Sequence, residues 1–131
     1  MALPNGAGGY QVGDGNLTEV NIGVQAAPTS KAAAATLTPA ELTNGIVIYT
    51  GSSASITLPT VADTEALVSS AKNNSFFDVN FINSGAGTLT IAATAGTGWT
   101  LVGTVTSATL TSAAWRARKT GDLAWTFYRM A

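Results

Sequence analysis

The chain has 131 residues, of which 46% are apolar and 10% charged, with formal net charge −1, no histidine and no cysteine. One domain with a sizeable core fits that length. The missing residues exclude disulfides, thiolate metal sites, thiol nucleophiles and the usual imidazole base. A globular domain is ordinarily charged at roughly a quarter of its positions, so an exterior this sparse in charge and rich in Thr, Ser and Ala suits burial against other subunits.

Residues 1–31 form an expected extended, Gly-rich arm, MALPNGAGGYQVGDGNLTEVNIGVQAAPTSK, without a sustained helix or strand period. Its glycines make ordering costly, yet Tyr10, Val12, Leu17, Val20, Ile22 and Val24 are too apolar for a solvated tail. Val20, Ile22 and Val24 alternate, which fits a short strand paired with the body or with a neighbouring subunit. The start lacks the basic and apolar regions of a secretory signal, and no run approaches the length of a membrane span, so synthesis in a cytoplasm is expected.

Residues 32–131 are expected to be the folded domain. Ala32 to Ala35 is open between a helical piece and a linker. Thr36–Thr38, Gly45–Thr50 and Ala54–Pro59 read as strands, the last two joined by Gly51-Ser52-Ser53 as a hairpin. Thr60 to Asn74 is the one expected helix. Thr60 caps it, Asp63 and Glu65 complement the helix dipole in its first turn, and Lys72 with Asn73-Asn74 stops it. Ser75–Ser84 is a strand with Phe77, Val79 and Phe81 on one face and Asp78 and Asn80 on the other. The turn Asn83–Gly87 leads into Thr88–Ala92, with Leu89 and Ile91 inward. Trp99–Val102 and Val105–Leu110 follow. The last hairpin runs from Trp115 through Lys119-Thr120-Gly121-Asp122, where Gly121 is expected to take positive φ, back along Leu123 to Met130. Eight or nine short strands with regular turns predict an all-β, mainly antiparallel β-sandwich or jelly roll with one short helix and the N-terminal arm.

The candidate chemistry is sparse. Asp63 and Glu65 are accounted for by the helix start, and no carboxylate spacing singles out a glycosidase pair. Gly13-Asp14-Gly15-Asn16 lacks the alternating ligands and closing Glu of a calcium loop, and Asn5–Gly9 lacks the Lys-Ser/Thr of a phosphate loop. No catalytic residue, metal site or cofactor is therefore expected, and the protein reads as a non-enzyme. Charge is uneven: two lysines against five acids up to Asn73 give −3, and four bases against two acids beyond it give +2. The basic end carries Arg116, Arg118, Lys119 and Arg129 among Trp115, Trp125 and Tyr128, a composition that a phosphate- and base-stacking face would use. Alternation puts Trp115 and Ala117 on the core face and Arg116 and Arg118 on the other. That favours arginines meeting acids of a neighbouring subunit, or lying on an exposed edge, over nucleic-acid binding.

Two stretches, Asn5-Gly6-Ala7-Gly8-Gly9-Tyr10-Gln11-Val12-Gly13-Asp14-Gly15-Asn16 and Trp115-Arg116-Ala117 through Trp125-Thr126-Phe127-Tyr128-Arg129, together resemble small virion proteins of tailed bacteriophages, in particular capsid decoration (cement) proteins. Ile56-Thr57-Leu58-Pro59, Phe81-Ile82-Asn83 and Gly87-Thr88-Leu89-Thr90-Ile91 are similar to the trimeric β-sandwich knobs of phage fibres. The resemblance implies a homotrimer seated on the outer surface of the virion head, partnered by the major capsid protein, without nucleic acid or membrane. The arm residues Tyr10, Val12, Leu17, Val20 and Ile22 would contact the capsid, and Arg116 and Arg118 the adjacent subunits. A receptor- or glycan-binding fibre tip is the alternative, which needs Trp99, Trp125 or Tyr128 exposed at a loop end.

Overall fold

The computed structural model describes residues 22–131. Ten strands and two short helices follow in the order β1 (Thr29–Lys31), β2 (Ala35–Thr36), α1 (Pro39–Thr43), β3 (Ile46–Tyr49), β4 (Ala54–Thr57), α2 (Val61–Leu67), β5 (Phe76–Asn83), β6 (Leu89–Ala92), β7 (Trp99–Val102), β8 (Thr106–Ser107), β9 (Thr111–Gly121) and β10 (Ala124–Arg129). They make a six-stranded sheet, β1-β3-β5-β9-β10-β7, and a four-stranded sheet, β2-β4-β6-β8. The mainly β, two-sheet architecture agrees with the sandwich reading.

The antiparallel expectation is corrected. Five of the eight strand pairings are parallel and three antiparallel. From β1 to β8 the chain changes sheet at every step, so successive strands face each other across the core instead of pairing. Gly51-Ser52-Ser53 is therefore an arch joining β3 in one sheet to β4 in the other, not a hairpin, and Asn83–Gly87 is a second such arch. A jelly-roll winding, which pairs its neighbours antiparallel, is not confirmed by these orders. The physical reason is backbone satisfaction: once an arch lies on the preceding one, each strand finds its hydrogen-bond partner in the arch below. Thr50 N donates to Lys31 O at 2.9 Å, and Ser84 N to Tyr49 O at 2.9 Å. The corners pack backbone on backbone; a Cβ on Gly51 would lie 2.2 Å from Ala32 O. Ala32 to Ala34 thus form the corner of the first arch and Ala35 opens β2, and β1 belongs to the folded domain although it lies within the expected arm.

The helices differ from expectation in number and length. Thr38 opens α1 with a capping box: Glu41 N donates to Thr38 Oγ1 at 3.2 Å and Thr38 N to Glu41 Oε1 at 2.9 Å, with Pro39 at the first position. In α2 the Asp63 N–H donates to Thr60 Oγ1 at 3.2 Å, as the sequence indicated. The helix ends at Leu67, well short of Asn74. Asn74 instead takes a left-handed φ of 76° and donates its N–H to Lys119 O at 2.8 Å. Pairing of that segment with β9 outcompetes further helix, whose isolated propagation is weak in so short an element.

Both inner faces meet in one core. Val47, Tyr49, Val79, Phe81, Trp115, Ala117, Trp125 and Phe127 come from the larger sheet, Ile56, Leu89 and Ile91 from the smaller. Trp115 stacks on Phe127 with centroids 4.8 Å apart, and Phe81 meets Phe127 edge-on at 6.4 Å. The last hairpin, β9–β10, forms as expected with Trp115 and Ala117 inward. Its turn uses Leu123, not Gly121, at positive φ (54°). Of the expected strand Val105–Leu110 only Thr106–Ser107 is regular, and Leu110 is exposed at φ 60°.

Candidate interaction surface

Three of the five acids among the described residues, Glu41, Glu65 and Asp78, are engaged structurally. Lys31 Nζ lies 3.0 Å from Glu41 Oε2. Glu41 is held below the ordinary carboxylate range first by the Thr38 N–H it accepts, with Lys31 adding to the effect. Glu65 Oε2 accepts from Trp125 Nε1 at 2.9 Å and Leu123 N at 3.2 Å, with Lys119 Nζ at 3.5 Å. Glu65 is thus more than a dipole-complementing residue, because it ties α2 to the final hairpin. Asp63 and Asp122 are exposed on the surface. Among the described residues no three His, Cys, Asp or Glu side chains gather as metal ligands. The groove lined by Gly103, Thr104, Thr106, Arg129, Met130 and Ala131 has its one cation occupied, since Arg129 Nη1 donates to Thr104 O at 3.0 Å and Thr106 O at 2.6 Å.

What the fold presents outward is the second face of the larger sheet. Strand register places Asp78, Arg116, Tyr128 and Val102 in one row across four strands, and Phe76, Arg118, Thr126 and Thr100 in the next. Phe76, Ile82 and Val102 are exposed, and Ile46, Ile48, Ala114 and Tyr128 half-buried. Apolar and polar side chains are therefore interleaved on this face, with Phe76 and Val102 in the rows of the two arginines and Ile46, Ile48 and Ile82 in rows shared with Asn80 and Ser112.

The two arginines sit on this face, as alternation indicated, and each is engaged within its own chain. Arg116 Nε and Nη2 donate to Asp78 Oδ1 and Oδ2 at 2.7 and 3.1 Å, and its guanidinium lies 4.0 Å from the Phe76 ring centroid. Arg118 donates through Nε and Nη2 to the Tyr128 hydroxyl at 3.0 and 2.7 Å and through Nη1 to Asn74 Oδ1 at 2.8 Å. No carboxylate among the described residues pairs with Arg118.

The Arg116 hydrogen bonds hold the Asp78 carboxyl below its ordinary value, and Asp78 in turn raises Arg116. A depressed acid stabilises the fold at pH values above its unfolded-state pKa, and that contribution disappears as pH falls through the folded-state value. Asp78→Asn should therefore differ slightly from wild type at pH 7 and converge with it in strong acid, in thermal melts taken across pH. Because this pair is exposed and screened, Arg116→Ala with Arg118→Ala should leave a soluble, cooperatively melting fold.

Of the expected capsid-contact residues, Tyr10, Val12, Leu17 and Val20 lie outside the described residues. Ile22 is 91% exposed and the neighbouring Val24 fully so. Residues 22–28 are neither helix nor strand. Further on, Gln25 Nε2 donates to Asn44 O at 2.8 Å, and Asn44 Nδ2 to Ala27 O at 2.9 Å, which pins the chain beside the end of α1.

None of the three aromatic residues that the glycan-binding alternative needs, Trp99, Trp125 and Tyr128, stands exposed. Trp125 is buried, Trp99 is half-buried with Nε1 donating to Pro59 O at 2.6 Å, and the Tyr128 hydroxyl is engaged by Arg118. The Glu65 node escaped sequence reasoning because it joins residues some sixty positions apart. The outward face of the larger sheet was half-legible, as the outward residues of β5 and β9. Compared with models of protein families, with curated proteins and with solved structures, the chain has no match.

Proposed function

We propose that the protein is a non-enzymatic structural component of a tailed-phage virion, binding the major capsid protein on the outer head surface as a homotrimer and reinforcing the shell. The observation that carries this reading is the pair of large apolar side chains, Ile22 and Val24, held almost wholly in water on the segment leading into β1. Burying such a side chain is worth about 1.5–3 kcal/mol, so covering both on a partner gives a strong, non-directional drive to associate. The exposed Phe76, Ile82 and Val102 on the larger sheet add further apolar surface to cover. The exterior suits a role of contact, because its arginines and, among the described residues, Glu41, Glu65 and Asp78 already serve the chain's own fold. Synthesis in the host cytoplasm and residence on the virion follow from this role. The jelly-roll comparison has no part in it; a stack of arches serves equally as a rigid block.

The alternative, a receptor- or glycan-binding fibre knob, is the weaker reading because Trp99, Trp125 and Tyr128 are buried or engaged. Binding to empty heads, read by co-sedimentation, separates the two when run beside a glycan array. Removing residues 1–24, which spares β1, takes away the expected contact residues Tyr10, Val12, Leu17 and Val20 together with the Ile22 and Val24 pair that drives assembly, and should weaken head binding by about a hundredfold or more, corresponding to the loss of at least two buried apolar side chains. Unchanged head binding by a folded, truncated protein would rule out the arm as the contact.

A further inference from the structure

The arches form a stack with two unlike ends. At one end the β9–β10 hairpin and β8 extend the sheets antiparallel, and the Thr109 hydroxyl donates to Gly85 O at the corner. At the other end the first arch, residues 29–36, has no neighbour among the described residues: β1 pairs only with β3 and β2 only with β4.

The direction of its free backbone groups follows from the bonds it makes. Lys31 O accepts from Thr50 N, and Leu37 N donates to Thr57 O, so Lys31 and Leu37 turn toward the stack. Backbone groups alternate along a strand, so the N–H and C=O of Ser30 and of Thr36 point away, one set at the edge of each sheet. Ser30, Ala32, Ala33, Ala34 and Thr36 are exposed and small. The usual guards of an edge are a free charge, a bulge or a proline within the strand. Lys31 is the arch's one charge, and it is tied to Glu41.

We propose that this open arch is a strand-acceptor edge, filled by the Ile22–Val24 segment of a second copy. The proposal rests on the oligomer reading above. Ile22 and Val24 supply alternate apolar side chains for a backbone that has no sheet partner among the described residues. They cannot serve their own edge as a hairpin, because residues 22–28 contain no turn and Gln25 and Ala27 are fixed against Asn44. Donation in trans is a head-to-tail contact, which closes into a ring when the rotation allows, and a trimer is the ring expected here. Main-chain hydrogen bonds give the affinity and the alternate side chains the register.

Two experiments on the full chain test this. Because the protein has no cysteine, Val24→Cys and Ser30→Cys can be made singly and mixed with a short bismaleimide crosslinker. The mixture should yield a covalent dimer that neither variant yields alone. A dimer from Ser30→Cys alone would mean edge-to-edge contact between first arches and would overturn the proposal, as would no dimer from the mixture. Ser30→Pro removes only the outward N–H, a position where an edge strand tolerates proline. It should keep the wild-type melting transition while its dissociation constant for self-association rises at least tenfold in sedimentation equilibrium. If wild type assembles and Ser30→Pro assembles equally well, the edge is not the acceptor while the oligomer reading survives. A wild-type chain that sediments as a monomer at micromolar concentration would remove both.

Discussion

Gly85→Ala is expected to lose about 3 kcal/mol or more of stability, at the upper end of what overpacking costs, and to lower the melting temperature by roughly 10 °C or more. The cause is the arch stack. A Cβ on Gly85 would stand 2.1 Å from Gly51 O and 2.8 Å from Gly51 N, and both are backbone atoms of the arch below. No side chain can swing aside to relieve that contact, so the arches must separate and give up their shared hydrogen bonds. Gly121→Ala is the control, because nothing lies within 4 Å of its added Cβ. It should change stability by less than about 0.5 kcal/mol. Thermal melts of the two variants, measured together, read the difference directly.

Glu65→Ala should cost about 2 kcal/mol, since it leaves the indole N–H of a buried tryptophan without its acceptor. Trp125 Nε1, Leu123 N and Lys119 Nζ all converge on Glu65 Oε2, so the change also frees the hairpin turn from α2. Glu65→Gln keeps an acceptor oxygen and should recover part of the loss. Urea melts followed by tryptophan fluorescence report both variants. Equal stability of Glu65→Ala and wild type would mean that water replaces the carboxylate at no cost.

These two residues also mark where the sequence was legible and where it was not. Alternation alone placed Val79 and Phe81 inward with Asp78 outward, and Trp115 and Ala117 inward with Arg116 and Arg118 outward, and the structure agrees at each position. The final hairpin was readable because a strand, a tight turn and a returning strand are close in sequence. Gly51-Ser52-Ser53 carries the same turn chemistry, yet it joins strands that do not pair. Local signals specify that the chain turns; they do not say whether the returning strand lies beside its predecessor or across the core from it.

A repeat was available as a signal. Gly51 and Gly85 stand 34 positions apart, each a few residues before an alternating apolar strand, Ala54-Ser55-Ile56-Thr57 and Leu89-Thr90-Ile91-Ala92. Those strands pair in parallel with Ile56 opposite Ile91. Such a period is what stacked units produce. Helix α1 was also written locally, as the capping box Thr38-Pro39-Ala40-Glu41, but five residues give too little periodicity to show a helix. The Glu65 node could not be read at all, since its meaning depends on a hairpin brought to it by the whole fold. The uncovered sheet face was legible in its residues, whereas the ion pair that neutralises Arg116 within the chain became clear only when register put Asp78 opposite it.

Attachment to a capsid is the central proposal, and one measurement addresses it directly. Purified protein is added in increasing amounts to empty tailed-phage heads, the proposed partner, and the heads are sedimented. The account predicts saturable co-sedimentation at a stoichiometry in multiples of three and a higher temperature of head disruption. Protein that remains in the supernatant at all concentrations, with head stability unchanged, would contradict it.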